Sequence, residues 1–241
     1  MDASIIITSY NYDRYLQQSI QSCLNQETKF QYEVIVIDDG SVDSSRKVLK
    51  KYSSKCKVIF LNNLGVEKAS NIGISEAISP YFIRVDADDY LKKDFLDLSL
   101  CYIKKNKVDF VYSNYTQVNE FDVNIAFSNL PTFEKEEIYS RGDFLATGTL
   151  FNKEVFLEMG GYNEEIKNCG LENYELILKM INQKKVGKLI KKNLFNYRVH
   201  PNNMSSTRKQ AIISYGNVLA KRYNLGTYKT NEYHPYQLNL S

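Results

Sequence analysis

The stretch YFIRVDADDYL, residues 81–91, packs three carboxylates, Asp86, Asp88 and Asp89, into four positions. They follow an apolar run, where a buried strand would end. Carboxylates this close repel, and each raises its neighbour's pKa unless a cation or donors compensate. Two arrangements meet that condition. One is a solvated turn that caps the next helix. The other is a seat for a hard divalent cation, which takes oxygen ligands and commonly keeps waters. Two more polar clusters follow apolar runs in the same way: TSYN from Thr8, and DDGS from Asp38, the latter also an Asp-Gly turn signal.

Strands must carry these clusters. SIIIT (4–8), EVIVID (33–38), KVIFL (57–61) and residues 81–86 are apolar or β-branched without polar alternation, as expected for strands covered on both faces. Between them, residues 15–25, 44–52 and 66–78 read as helices, with Leu16, Ile20, Cys23 and Leu24 at helical spacing and Asp43 as an N-cap. Residues 93–104 read as another. This β-α-β-α rhythm predicts a doubly wound parallel sheet, in which ligands bind beyond the C-terminal strand ends. All three polar clusters fall on that rim. Further on, 110–118 reads as a strand, 119–140 as irregular with a second possible strand, and 146–151 as a short strand. Leu171, Tyr174, Leu178 and Ile181 mark a helix. In the basic, Tyr-rich tail from Ser205, residues Ala211, Ile212, Tyr215, Val218, Leu219 and Tyr223 also fall at helical spacing.

The chain of 241 residues is 43% hydrophobic and 24% charged, which suits one sizeable soluble domain. Its net charge of +3 is too small to imply a nucleic-acid partner. Cys23, Cys56, Cys101 and Cys169 are far apart, with no CxxC, which argues against a zinc site or a disulfide framework and for a reducing cytoplasm. SIIITSY is too short for a secretion signal and lacks a basic flank. No apolar run approaches the roughly 20 residues that span a bilayer.

Six motifs, in this order, carry a resemblance: IIITSYNYDRYLQQSIQSCLNQ, VIVIDDGSVDSS, GVEKASNIGISEAISPYFIRVDADD, GGYNEE, GLENYEL and YRVHPNNMS. Together they resemble the family 2 glycosyltransferases of bacterial polysaccharide biosynthesis, over residues 3–205. The resemblance implies an α/β GT-A fold: a Rossmann-like, mostly parallel central sheet with helices on both faces. It implies one domain, 1–205, with a nucleotide-binding half (1–110) and an acceptor half (111–205), followed by a partly helical tail, 206–241. The implied reaction is metal-dependent transfer, with inversion, from a nucleotide-diphosphate sugar, foremost a UDP-sugar. The implied acceptor is a hydroxyl of a glycan or lipid-linked glycan. The tail has two readings: an amphipathic helix on the inner face of an anionic membrane, or a helix packed on the domain.

By the same resemblance, Asp88 is a direct ligand of Mn²⁺ or Mg²⁺, Asp86 contacts ribose or a metal-bound water, and His200 completes the metal site. Such a cation stabilises charge growing on the departing nucleoside diphosphate. Asp39 meets the base, Asp38 supports its loop, and Thr8 and Tyr10 line that pocket. Arg198 and Ser205 are placed on the diphosphate. Two positions depart from the family pattern. Many relatives carry Arg just before the Asn of EKASNIG; here it is Ser70, with Lys68 as the substitute. Relatives carry Glu-Asp at the head of the 171–183 helix, the Asp acting as base. Here the pair is Glu172-Asn173, and Asn only hydrogen-bonds. Glu172 is then the expected base, with Asn173 holding the acceptor and Glu175 as an alternative base. The rival function is a catalytically weak sugar-nucleotide-binding domain. A nucleotidyltransferase is disfavoured, since TSYNYDRY is neither Gly-rich nor basic. Gly148 is expected to permit close approach at the acceptor cleft, and His234 to be structural.

Overall fold

The computed structural model describes residues 1–235. The chain opens with β1 (Ala3–Ser9), α1 (Asp13–Leu24), β2 (Tyr32–Asp38), α2 (Ser45–Lys50), β3 (Lys57–Phe60), α3 (Val66–Glu76) and β4 (Tyr81–Asp86). It continues through β5 (Tyr90–Leu91), α4 (Phe95–Asn106), β6 (Phe110–Asn119), β7 (Asn124–Ser128), α5 (Lys135–Arg141), β8 (Thr149–Asn152) and α6 (Lys153–Glu158). It ends with α7 (Glu172–Asn182), β9 (Gly187–Val199), α8 (Met204–Thr207) and α9 (Lys209–Arg222).

The unbroken apolar runs hide a period of two. In β1, Ile5 and Ile7 join one buried cluster and Ile6 the other; in β2, Val34 and Val36 oppose Ile35 and Ile37 in the same way. Both faces of the sheet are therefore core. Helices α1 and α4 cover one with Leu16, Ile20, Leu96 and Leu100. Helices α3, α6, α7 and α9 cover the other with Ile74, Phe156, Ile177 and Leu219. Burial on two sides is why these strands read as hydrophobic rather than alternating.

The sheet runs β3-β2-β1-β4-β8-β6-β9-β5, with β7 added on β6. Strands β1, β2, β3 and β4 pair in parallel, as do β6 and β9. Antiparallel β8 joins the two groups, so β6 and β9 point the same way as β1 to β4, while β5, β7 and β8 run against them. The expected mostly parallel α/β sheet of GT-A type is what forms. Phe151 on β8 lies 5.5 Å, ring to ring, from both Phe82 on β4 and Phe110 on β6. Residues 1–110 and 111–205 thus share one sheet and both of the clusters that cover it.

Of the two readings of the segment after 205, packing on the domain is what α9 does. Ile212, Tyr215 and Leu219 of α9 are buried in the cluster that holds Leu176 and Ile177 of α7. Tyr215 donates to Glu175 Oε2 at 2.6 Å, and Arg222 pairs with Glu175 Oε1 at 2.5 Å. Most of the apolar stripe is used for packing, with Ala211 and Val218 left exposed. Among the described residues no helix is long and apolar enough to cross a membrane. The end of the tail, 236–241, lies outside the described residues.

Candidate active site

A cleft of about 530 Å³ opens at the C-terminal strand ends and reaches the head of α7. Its walls bring together Thr8, Tyr10, Asp39, Asp86, Asp88, Glu172, Asn173 and Ser205. These eight residues were all singled out in the sequence, and they span nearly two hundred positions. Arg198, His200, Asp38 and Lys68 are not among the lining residues.

The acidic triplet divides into three environments. Asp86, at the end of β4, keeps a side chain 34% exposed in the cleft and meets the Arg84 guanidinium at 3.3 Å. Burial pushes its carboxyl up to about 6; Arg84 pulls the other way, and Asp88 and Glu172 add to the rise. Asp88 is buried, and its Oδ2 accepts from Asn203 Nδ2 at 3.1 Å and meets His200 Nε2 at 3.0 Å. Asp89 accepts the backbone N–H of Arg198 at 2.9 Å. Burial, then Asp88 and Asp86, holds its carboxyl well above the usual range. Asp86 and Asp88 thus present hard oxygens to one cleft, a donor set that fits Mg²⁺ or Mn²⁺ with waters and substrate oxygens completing the shell. His200 stands behind Asp88, packed against Tyr15 with ring centroids 4.9 Å apart. With Nε2 on the Asp88 carboxylate, it steadies that side chain, the arrangement by which an outer partner orients a carboxylate.

Asp39 shapes the end of the cleft beside α3. Its two carboxylate oxygens accept the N–H groups of Leu64 (2.6 Å) and Gly65 (2.8 Å), which turns the chain into α3. Each oxygen retains a second lone pair for a ligand N–H. Tyr10, 41% exposed, accepts from Asn63 across the cleft mouth at 3.2 Å. Asp38 is fully buried: Oδ1 accepts the Ser41 N–H at 3.3 Å, and Arg46 approaches Oδ2 at 3.5 Å. It supports the loop and does not reach the cleft. Lys68 points to Glu164, 3.8 Å away, on the outer surface.

Arg198 is the clearest correction. Its side chain is fully buried, with Nε donating to the Asp88 carbonyl (2.9 Å), Nη1 to the Asn119 carbonyl (3.2 Å) and Nη2 to Gln18 (2.6 Å). Nη2 also pairs with Asp122 at 2.8 Å, and the guanidinium lies 4.7 Å from the Tyr15 ring centre. It is a strut beneath the acidic turn and cannot reach a diphosphate. Arg198→Met is expected to cost about 3–5 kcal/mol of stability, because partners of a buried charge are left unmet. Denaturant midpoints check this. A diphosphate contact would instead weaken nucleotide binding and leave the midpoint in place.

Helix α3 in turn positions α7. Both oxygens of Glu67 accept backbone N–H groups, from Asn168 at 2.8 Å and Cys169 at 2.7 Å. Burial and the nearby Glu172 push the Glu67 carboxyl upward. Glu67, Cys169 and Glu172 place ligand-type atoms within 4.8 Å of one another. Glu67 is already occupied and Glu172 is paired, so the trio serves as an anchor for the loop entering α7. Glu172 meets Arg84 at 2.7 Å. Asn173 is held on both sides: its Oδ1 accepts from the Tyr162 hydroxyl, and its Nδ2 donates to the Phe144 carbonyl, each at 3.0 Å. Glu175, tied to Tyr215 and Arg222, is no candidate base. Gly148 serves packing: at φ +86°, a Cβ there would fall 2.1 Å from the Phe195 ring.

Sequence reasoning missed Arg84, Asn203 and Arg208. Arg84 was marked by being the lone charge inside an apolar strand. Asn203 lay within YRVHPNNMS but was not separated from its neighbours. Arg208 lines the cleft and donates to the Asn168 carbonyl at 3.0 Å, though the sequence placed it in the tail.

A model of the family described as "Glycosyl transferase family 2" matches residues 4–159. Chondroitin synthase of Pasteurella multocida (strain Pm70) is 30% identical over 95% of this chain and 24% of its own length. Hyaluronan synthase of Pasteurella multocida is 32% identical over 84% of the chain and 21% of its own length. The chain thus spans about a quarter or less of the length of these relatives. Among solved structures, S. aureus TarS 1-349 in complex with UDP-GlcNAc superposes with a TM-score of 0.75 at 21% identity, over 94% of this chain and 67% of that one. The mannosyltransferase PcManGT from Pyrobaculum calidifontis, in complex with GDP-Man and Mn²⁺, gives 0.71 at 14% identity, over 91% and 64%. At these identities the likeness is one of fold.

Proposed function

This chain belongs to glycosyl transferase family 2, and from that premise we propose that it transfers a sugar, with inversion, from a UDP-sugar to a hydroxyl of a glycan or lipid-linked glycan. The observation that carries this reading is the convergence of Asp39, Asp86 and Asp88 on one cleft at the strand ends. Asp39 and Tyr10 receive the base. Asp86 and Asp88 hold Mn²⁺ or Mg²⁺, which when bound supplies Lewis-acid stabilisation to the leaving diphosphate. His200 and Asn203 fix the Asp88 carboxylate. Arg208, the cation on the cleft's closing side, takes the diphosphate role that Arg198 and Lys68 do not fill. Glu172, oriented by Arg84, takes the acceptor proton. The free cysteines are compatible with action in a reducing cytoplasm. TarS bound to UDP-GlcNAc supports the choice of uridine.

Calorimetric titration of UDP, GDP, dTDP and CDP, each with and without Mn²⁺, tests the donor site. Binding of UDP that strengthens about tenfold or more with Mn²⁺ is expected. Absence of metal-dependent binding for all four would remove the proposal. One observation favours a second reading, a sugar-nucleotide-binding domain with little transfer activity: the residue where relatives carry the basic Asp is Asn173, locked between Tyr162 and Phe144.

A further inference from the structure

Arg84 is a charged side chain in the middle of a strand covered on both faces, and it is only 3% exposed. Its Nη2 serves Asp86 at 3.3 Å and Glu172 at 2.7 Å. The Tyr162 ring covers it, with its centre 5.2 Å from Cζ. Its Nε and Nη1, although buried, meet no hydrogen-bond partner among the described residues. Arg84 nevertheless lines the cleft. Guanidinium N–H groups left without acceptors in a buried position are costly. We propose that Arg84 is a specificity-determining residue, whose free nitrogens receive a neutral oxygen of the donor sugar. This inference rests on the donor-site reading above.

Charge decides the chemical class. Two carboxylates already face this one guanidinium, so the local balance is negative before substrate enters. Among the described residues that line the cleft, the acids Asp39, Asp86, Asp88, Asp89, Asp143 and Glu172 outnumber the cations Arg84 and Arg208. The divalent cation is matched by the two negative charges of the diphosphate it binds. A sugar carboxylate at Arg84 would add a further anion to an acid-rich floor, where like charges repel more strongly than in water. A hydroxyl or an acylamido carbonyl accepts the same N–H groups without that penalty. Of the two cations that line the cleft among the described residues, Arg84 is buried and Arg208 is exposed.

The test compares wild type with Arg84→Lys, which keeps the charge but loses the planar fork. Each is titrated with UDP, UDP-glucose, UDP-GlcNAc and UDP-glucuronate, and with GDP and GDP-mannose, in the presence of Mn²⁺. The readout is the ratio of the Kd of the parent nucleotide to that of its sugar nucleotide. For the neutral sugar that wild type binds best, this ratio is expected to fall about tenfold in Arg84→Lys; because the ratio is taken within each protein, a change in parent-nucleotide affinity passed through Asp86 cancels. An unchanged ratio overturns the inference and leaves the donor site standing, as does a wild-type preference for the glucuronate. A wild type that binds no nucleotide removes the donor-site reading itself. If Arg84→Lys does not fold, a crystal structure of wild type with Mn²⁺ and its best neutral sugar nucleotide decides. A sugar oxygen within hydrogen-bond distance of Nε or Nη1 supports the assignment; water on both nitrogens overturns it.

Discussion

Asp88→Asn is expected to abolish the Mn²⁺-dependent part of nucleotide binding and to lower kcat/KM by about 10³-fold. The estimate follows from losing a Lewis acid that acts on the leaving group, an effect of the size seen when focused transition-state charge stabilisation is removed. The substitution is nearly isosteric. Arg198 bonds the backbone carbonyl at this position, not the side chain, so its strut remains. Asp89, which accepts from the Arg198 backbone, is also untouched. The fold should therefore survive, with the unfolding midpoint as the control. An Asp88→Asn protein that still binds UDP with full Mn²⁺ dependence would place the cation elsewhere.

The second large effect concerns proton removal. Glu172→Gln is expected to reduce kcat by about 10²–10⁴-fold, the usual contribution of a positioned general base, with little change in nucleotide affinity. Gln retains an oxygen for Arg84 Nη2, so the contact at 2.7 Å is weakened and not lost. A Glu172→Gln enzyme with normal kcat would end the assignment. Asn173→Asp is the companion measurement. In the native site an N–H faces the Phe144 carbonyl at 3.0 Å. Aspartate would set two acceptors face to face, and a loss of about 1–3 kcal/mol in stability is expected. If Asn173→Asp instead gains transfer activity without that loss, the chain is a weakened descendant of a Glu-Asp enzyme.

The legibility of this site follows from burial. Strands β1, β2 and β4 could be read because both of their faces are core, so apolar residues dominate up to the rim, while the edge strand β3 is only partly covered. Strand β9 escaped notice: Lys188, Lys191 and Lys192 are exposed, and they interrupt its pattern. Asp39, Asp86, Asp88 and Glu172 were found because carboxylates at strand or helix ends stand out against apolar runs. The cations were misplaced for a physical reason. An arginine reaches far and in any direction, so sequence position says little about where its charge lies. Arg198 sits two residues from His200 yet turns under the acidic turn, while Arg208, assigned to the tail, reaches the cleft. The tail helix was legible as amphipathic, but only tertiary contact shows what covers its apolar stripe.

The pairing of β6 with β9 has a consequence for the order in which the protein is born. Phe110 lies beside Gly187, and Asn119 beside Val199. During synthesis at roughly 5–20 residues per second, β6 leaves the ribosome several seconds before its parallel partner exists. The first four strands can meanwhile join through short crossovers. Pairing across so long a separation carries a larger loop-closure cost and comes late. His200 and Asn203, which steady Asp88, follow β9 directly. The nascent chain therefore assembles strands β1 to β4 with an acidic turn that has no polar clamp until residues 200–203 emerge. A chaperone that lingers on the growing chain would find its client in that interval, with the flank of β6 open.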